Sequence, residues 1–258
     1  MNSHNSTSRF SDRVDAYVRY RPTYPDELVA LITRETGHGA GARVADIGSG
    51  TGISSDLLLR HGMEVYAVEP NGAMREAAER MLGENERFHS IEGTAEETGL
   101  PDDSVDLVVA AQAFHWFDRD RARAEFDRIL RPDGAIVLVW NSRRTEGSDF
   151  LVEYEALLHR FGTDYAQINH RNVDEAQVAA FFGSENHTVH RLFNEQTVDF
   201  DGAKGRLDSS SYVPAPDHPH YDAMIAELKE VFERNAEEGR VGIVYDVEVY
   251  IGRRGQGN

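Results

Sequence analysis

Arg43-Val44-Ala45-Asp46-Ile47-Gly48-Ser49-Gly50-Thr51-Gly52 decides the fold of this chain. Its first half is a short apolar run, Val44, Ala45 and Ile47, broken by one acid, Asp46. Its second half places glycine at three alternate positions, 48, 50 and 52. A run from Ile53 to Arg60 with Leu57, Leu58 and Leu59 follows. Strand, tight glycine turn and helix, in that order, open an α/β nucleotide site. Glycine is needed there because side chains block a ligand's approach to the backbone and because some turn positions need positive φ. The spacing selects among nucleotides. A dinucleotide fingerprint, G-x-G-x-x-G, requires glycine where Ile53 stands, and a P-loop requires a lysine that is missing after the turn. Asp46 adds a second constraint: a carboxylate near a buried strand end needs a partner, and a ligand amino group is one.

Glu64 to Pro70 reads as the second strand, with Val65, Tyr66, Ala67 and Val68, and it ends in Glu69. An acid about 20 residues after the first strand, at the end of the next one, suits a pair of ribose hydroxyls, because one carboxylate accepts from both. Asn71 to Leu82 follows as a helix. Within it Met74 has two equal readings, adenine contact and core. Phe88 to Ile91 is a short third strand. Val105 to Ala113 is the fourth, a near-continuous apolar run of the kind that parallel strands covered on both faces carry.

Asp46-Ile47-Gly48-Ser49-Gly50-Thr51-Gly52 resembles the first motif of the class I S-adenosylmethionine-dependent methyltransferases. Tyr17-Val18-Arg19-Tyr20-Arg21-Pro22 and Gln112-Ala113-Phe114-His115-Trp116-Phe117-Asp118 resemble a small-molecule branch of it, which includes trans-aconitate-methyltransferase-like and ubiquinone-biosynthesis-like proteins. The likeness covers roughly residues 10–142 and, more weakly, the final strand. It implies a doubly wound, mostly parallel α/β sheet of seven strands, the last antiparallel, with a small helical cap. It also implies methyl transfer from S-adenosylmethionine to a small acceptor, a carboxylate, hydroxyl or amine. The cofactor set it implies is Asp46, Gly48, Ser49, Gly50, Gly52, Glu69, Pro70, Met74, Ala95, Glu96, Gln112, Tyr17 and Arg21. Of these, Ala95 and Glu96 stand beside the adenine amine, and the leader with Tyr17 and Arg21 folds over the cofactor's open side. A leader helix that only packs is the competing reading.

The acceptor side is less determined. Aromatic residues and a histidine at the end of the fourth strand line the crevice where α/β folds bind ligands. His115 therefore has three readings: a base, an acceptor hydrogen-bonder, or a buried structural group. Trp116 accompanies it, as do Trp140, Asn141 and Arg143 at the end of a fifth strand, Ala135 to Trp140. Arg143 and Arg144 read either as a clamp on a substrate carboxylate or as solvated surface. Ser210 and Tyr212 close a further helix near the crevice. The methyl group arrives activated on a positive sulfur, so alignment supplies much of the rate and a base is needed only for a protonated acceptor.

The chain has 258 residues, enough for one large α/β domain with a cap. We read residues 1–258 as one domain, 1–36 as a helical leader, and 162–183 and 199–219 as cap or substrate additions. The net charge of −18 repels polyanions, so a nucleic-acid acceptor is not expected. There is no cysteine, which excludes disulfides and thiolate chemistry and accords with a cytoplasmic setting. Residues 1–8 are polar, without the apolar core of a signal peptide, and the densest apolar run is too short to span a bilayer. His187-x-x-His190 and His218-Pro219-His220 lack supporting acids on a shared helix, so no metal is expected. Two other classes remain: a non-catalytic cofactor-binding module, and a nicotinamide dehydrogenase, against which Ile53 speaks. The oligomeric state is not encoded in any feature of the sequence.

Overall fold

The structure is a computed structural model, and it describes residues 18–163, 165, 175–183, 186–210 and 212–254. Seven strands form one sheet: β1 (Arg43–Ile47), β2 (Glu64–Val68), β3 (Phe88–Ile91), β4 (Val105–Ala111), β5 (Leu130–Arg143), β6 (His187–Val198) and β7 (Val241–Arg253). Their order is β3-β2-β1-β4-β5-β7-β6. The first five run parallel, and β7 lies antiparallel between β5 and β6.

Helices cover both faces, which is why the central strands are apolar on both sides. α1 (Glu27–Thr36) and α2 (Ile53–Arg60) pack on one face, with Leu28, Ile32, Leu57 and Leu58 against Val44, Val109 and Val137. α3 (Gly72–Leu82) adds Ala78 and Leu82 to the same core. α4 (Arg119–Ile129) and α6 (Glu175–Phe182) cover the other face, with Phe126, Ile129, Val178 and Phe181 against Ile47, Val108 and Leu138. α5 (Asp149–Phe161), α7 (Phe200–Asp208) and α8 (Tyr221–Asn235) form a third cluster around Tyr154, Leu207, Leu228, Ile243 and Tyr245. Short polar side chains start several helices by accepting a free backbone N–H: Asn71 for α3, Asp118 for α4, Ser148 for α5 and Asp199 for α7.

The fifth strand is longer than Ala135 to Trp140. Arg131-Pro132-Asp133-Gly134 ends α4 as expected, but the strand begins at Leu130, which pairs with Val105. Pairing resumes at Leu107 with Ala135, so residues 131–134 bulge out of the ladder. Gly134 permits the close return, since a Cβ there would lie 2.8 Å from Leu130 and 2.9 Å from the Arg131 carbonyl.

β1 and β4 are neighbours, yet the helices that follow them lie on opposite faces. Their C-terminal ends therefore open a crevice at a topological switch point, where α/β ligands bind. No helix among the described residues is long and apolar enough to cross a membrane.

Candidate functional site

The glycine turn sits in that crevice. Gly48, Gly50 and Gly52 all have positive φ. A Cβ on Gly48 would lie 2.6 Å from the Cβ of Ala113, so the ends of β1 and β4 touch here. A Cβ on Gly50 would meet nothing within 4 Å, so this position faces open space. Gly52 begins α2 and is pressed against Leu82 and Ala78 of α3.

Two buried carboxylates brace the turn. Asp46 is fully buried at the end of β1. Its Oδ2 accepts from the hydroxyls of Ser54 and Ser55, both at 2.7 Å, in the first turn of α2. Its Oδ1 is buried and has no partner among the described residues. Burial raises the Asp46 pKa above the ordinary aspartate value, and the hydroxyls of Ser55 and Ser54 offset this only in part. Glu69 accepts from the Gly50 N–H at 3.0 Å and from the Asn71 N–H at 2.8 Å, which ties the turn to the end of β2. Burial raises its pKa too, against those two backbone donors and Arg75. Each Glu69 oxygen keeps a further lone pair after its single bond to the protein.

The remaining cofactor-set residues surround these. Ser49 is buried in the turn, and Pro70 is exposed just after Glu69. Met74 is 4% exposed and packs with Ala77, Ala73 and Val18, so it joins a small core cluster beside the crevice. Ala95 is buried, and Glu96 accepts from the Asp118 N–H at 2.8 Å, joining the loop after β3 to the start of α4. Gln112 follows β4 with φ +60, a strained backbone for a residue with a side chain, and its Nε2 donates to the Asn141 carbonyl at 2.9 Å. Such outliers cluster at ligand sites. Tyr17 lies outside the described residues.

Beyond Tyr17 the leader crosses the strand ends. Val18 packs near Met74, the Tyr20 carbonyl accepts from Gln196 on β6, and the Thr23 carbonyl accepts from Asn141 and Asn194. Arg21 donates to the Ser209 carbonyl at 2.9 Å, beside α7.

A buried carboxylate oxygen lacking a partner, two tight glycines flanking an open one, and an acid spanning turn and second strand together fit one class of group, an adenosine with a charged amino-acid tail. A family profile described as a methyltransferase domain matches residues 45–138. A Mycobacterium tuberculosis protein described as an uncharacterized methyltransferase is 42% identical over 134 residues, 52% of each chain. A putative methyltransferase of Dictyostelium discoideum is 29% identical over 226 residues, covering 86% of this chain and 84% of its own. A solved putative type II methyltransferase from Anaeromyxobacter dehalogenans superposes with a TM-score of 0.68 at 25% identity, covering 91% of this chain and 98% of its own.

Residues 45–138 carry a methyltransferase domain.

The chain spans about half the length of the mycobacterial relatives it matches. A Saccharomyces cerevisiae protein described as a probable S-adenosylmethionine-dependent methyltransferase is 32% identical over 139 residues, 52% of this chain and 47% of its own. The acceptor side of this chain departs from the sequence reading at several residues. Phe114, not His115, is the buried residue after β4. The Phe114 ring meets Phe181 at 4.9 Å, Trp140 at 5.8 Å and Phe117 at 6.0 Å, which anchors a single helical turn, Phe114–Trp116. That anchor turns His115 outward, and it is exposed, which removes the structural reading; Trp116 is 48% exposed beside it. Trp140 is a correction. It is 4% exposed, wedged between Phe114 and Tyr250, and belongs to the core rather than the crevice wall.

Asn141 is buried and holds the leader. Arg143 is neither solvated nor available as a clamp. Its Nη2 lies 2.5 Å from Glu155, and its guanidinium sits over the Tyr154 ring at 4.9 Å. Arg144 is the surface residue, paired with Asp246. Ser210 is fully buried, and its hydroxyl turns back to the Arg206 carbonyl rather than outward. Tyr212 is half-buried, with its ring 4.9 Å from Tyr165. The sequence reading missed Arg206, which lies within this group. Its signal is a charged residue among Ala203, Gly205 and Leu207, inside a short helix.

Proposed function

We propose that the protein transfers a methyl group from S-adenosylmethionine to a small-molecule acceptor. The observation that carries this reading is the open Gly50 position, flanked by the unpartnered Asp46 Oδ1 and by Glu69. In this reading Gly48, Ser49, Gly50 and Gly52 present backbone to the methionine part, and Asp46 receives its amino group. Glu69 receives the ribose hydroxyls on the lone pairs left by Gly50 and Asn71. Pro70, Met74, Ala95 and Glu96 border the adenine. Gln112 and Arg21, with Tyr17, complete the enclosure.

When bound, S-adenosylmethionine supplies a methyl group already activated by a positively charged sulfur. The protein's work is then to hold the acceptor in line and keep water out, and alignment of this kind is worth a large part of the barrier. The leader, tied down at Tyr20, Arg21 and Thr23, supplies the exclusion. His115 and Trp116 face outward at the crevice mouth, where they meet the acceptor. His115 serves as proton acceptor for a hydroxyl or amine and has no chemical step with a carboxylate. The strongly acidic chain supports an acceptor other than a nucleic acid, and its lack of cysteine accords with a cytoplasmic setting.

S-adenosylhomocysteine release tests this. Purified protein is incubated with S-adenosylmethionine and a panel of small acids, phenols and amines. The reading expects release that depends on one chemical class and is lost in Gly50→Val. Cofactor binding with no release across the panel would leave a binding module instead.

A further inference from the structure

Arg206 is the least expected group outside the cofactor pocket. It lies in the last turn of α7 and is 6% exposed. Its Nε donates to the Tyr245 hydroxyl at 3.4 Å and its Nη1 to the Ser210 hydroxyl at 3.1 Å. These are its hydrogen bonds among the described residues, and no carboxylate reaches it there. A guanidinium carries five N–H donors in a fixed fork, so donors remain after these two bonds. Withdrawing a lone cation from water costs several kcal/mol unless an anion meets it. Arg143, whose side chain is also largely withdrawn from water, follows that rule, with Glu155 at 2.5 Å. Arg206 has hydroxyls instead.

The surroundings accord with this. Burial pushes the Tyr212 phenol up, but the guanidiniums of Arg206 and Arg21, a hydrogen bond with Ser210 and the Arg143 guanidinium together hold the phenol below the ordinary tyrosine value. The potential here is positive, within a chain whose net charge is −18. The cluster also has a definite place. Arg143 ends β5 and pairs with Tyr245 across the ladder to β7. Arg206 and Ser210 hang from the connection after β6, and Arg21 reaches the Ser209 carbonyl from the leader. All of these lie at the C-terminal edge of the parallel strands, the edge at which the glycine turn opens.

We infer that Arg206, with Tyr212 and Arg21 beside it, is an anion subsite that grips the charged end of the methyl acceptor, a carboxylate or a phosphate. Arg206 suits this because its planar fork matches two oxygens of either group, and Tyr212 adds a lateral hydroxyl. The grip is recognition rather than chemistry: it fixes one end of the acceptor so that another atom meets the methyl group. The inference rests on the methyltransferase reading for the acceptor's role, though not for the binding of the anion itself.

The test is a calorimetric titration of protein saturated with S-adenosylhomocysteine, at fixed ionic strength. The probes are benzoate, phenyl phosphate and the neutral benzamide. The subsite predicts that at least one anion binds and that benzamide does not, the preferred anion showing whether carboxylate or phosphate is taken. Arg206→Gln should weaken anion binding at least tenfold and leave S-adenosylhomocysteine affinity within a few-fold. Equal binding of benzamide, no binding of either anion, or undiminished anion affinity in Arg206→Gln each overturns the inference. If Arg206→Gln does not fold, the comparison of charged and neutral probes on the wild type still decides, together with Arg21→Gln, which should also weaken the anion. Failure of S-adenosylhomocysteine to bind in the first step counts against the methyltransferase reading and is read separately.

Discussion

Asp46 is held where a carboxylate is expensive. It is buried, with two hydroxyls on one oxygen and no partner among the described residues on the other. Burial raises its pKa in the folded protein, as it does for Glu69. Both groups thus bind protons more tightly when folded than when unfolded. Their contribution to stability is complete below the unfolded carboxyl values of about 4 and is lost as pH rises through the raised folded values. Asp46→Asn keeps the shape and removes the charge. It should raise the melting temperature of the cofactor-free protein at pH 7 and flatten the decline above pH ~4, while weakening S-adenosylmethionine binding. A lower melting temperature at pH 7 would show that the charge stabilises the fold by itself. His115 calls for the opposite behaviour. Because it is exposed, His115→Ala should leave melting and cofactor affinity nearly unchanged. Turnover of a hydroxyl or amine acceptor should fall about 10²–10⁴-fold if His115 takes its proton, and the pH–rate profile should lose a limb. Unchanged turnover with such an acceptor would leave His115 no part in the reaction.

At the scale of elements, β1 through α3 were readable because each change of period coincides with a chemical marker. Gly48, Gly50 and Gly52 mark the turn, Glu69 ends β2, and Asn71 starts α3. The bulge in β5 was not readable, because Pro132 and Gly134 signal a stop whether or not the chain later rejoins the ladder. Nor was the contribution of α6. Its short apolar run shows no clear stripe, yet Phe181 packs edge-on against Phe114 and Phe126. Phe181→Ala should therefore cost about 3–5 kcal/mol, whereas Trp116→Ala should stay within about 0.5 kcal/mol; urea denaturation of the pair checks both. The helix expected to close near Ser210 is present as α7, Phe200–Asp208, but Arg206 within it was not read as a site residue. Gly205 is explained by the leader: a Cβ there would lie 2.2 Å from the Tyr20 ring. Alanine is the better helix former by about 1 kcal/mol, yet Gly205→Ala should unseat Tyr20. It should expose the leader to protease and weaken cofactor binding. A variant with an intact leader and higher stability would break the link between α7 and the leader.

The whole molecule divides its tasks along one edge of the sheet. The turn between β1 and α2, the end of β2 and the end of β4 form the proposed cofactor half, and the build of the turn was legible because backbone and two acids make it. The connections after β5 and β6, with the start of β7, form the other half. There the contacts run between residues far apart in the chain, such as Arg143 with Tyr165 and Arg206 with Tyr245, so no local pattern announces them. The leader joins the halves: Val18 packs near Met74 on one side, and Thr23 meets Asn141 and Asn194 on the other. The account as a whole stands on the glycine turn being the cofactor site. Gly50→Val tests this directly. Its Cβ enters open space, with no protein atom within 4 Å. A branched residue at φ +58 costs roughly 1–2 kcal/mol, which a domain stable by about 5–15 kcal/mol survives. Calorimetric titration with S-adenosylhomocysteine should show binding to the wild type and none to a folded Gly50→Val protein. Equal affinity in the two would contradict the account.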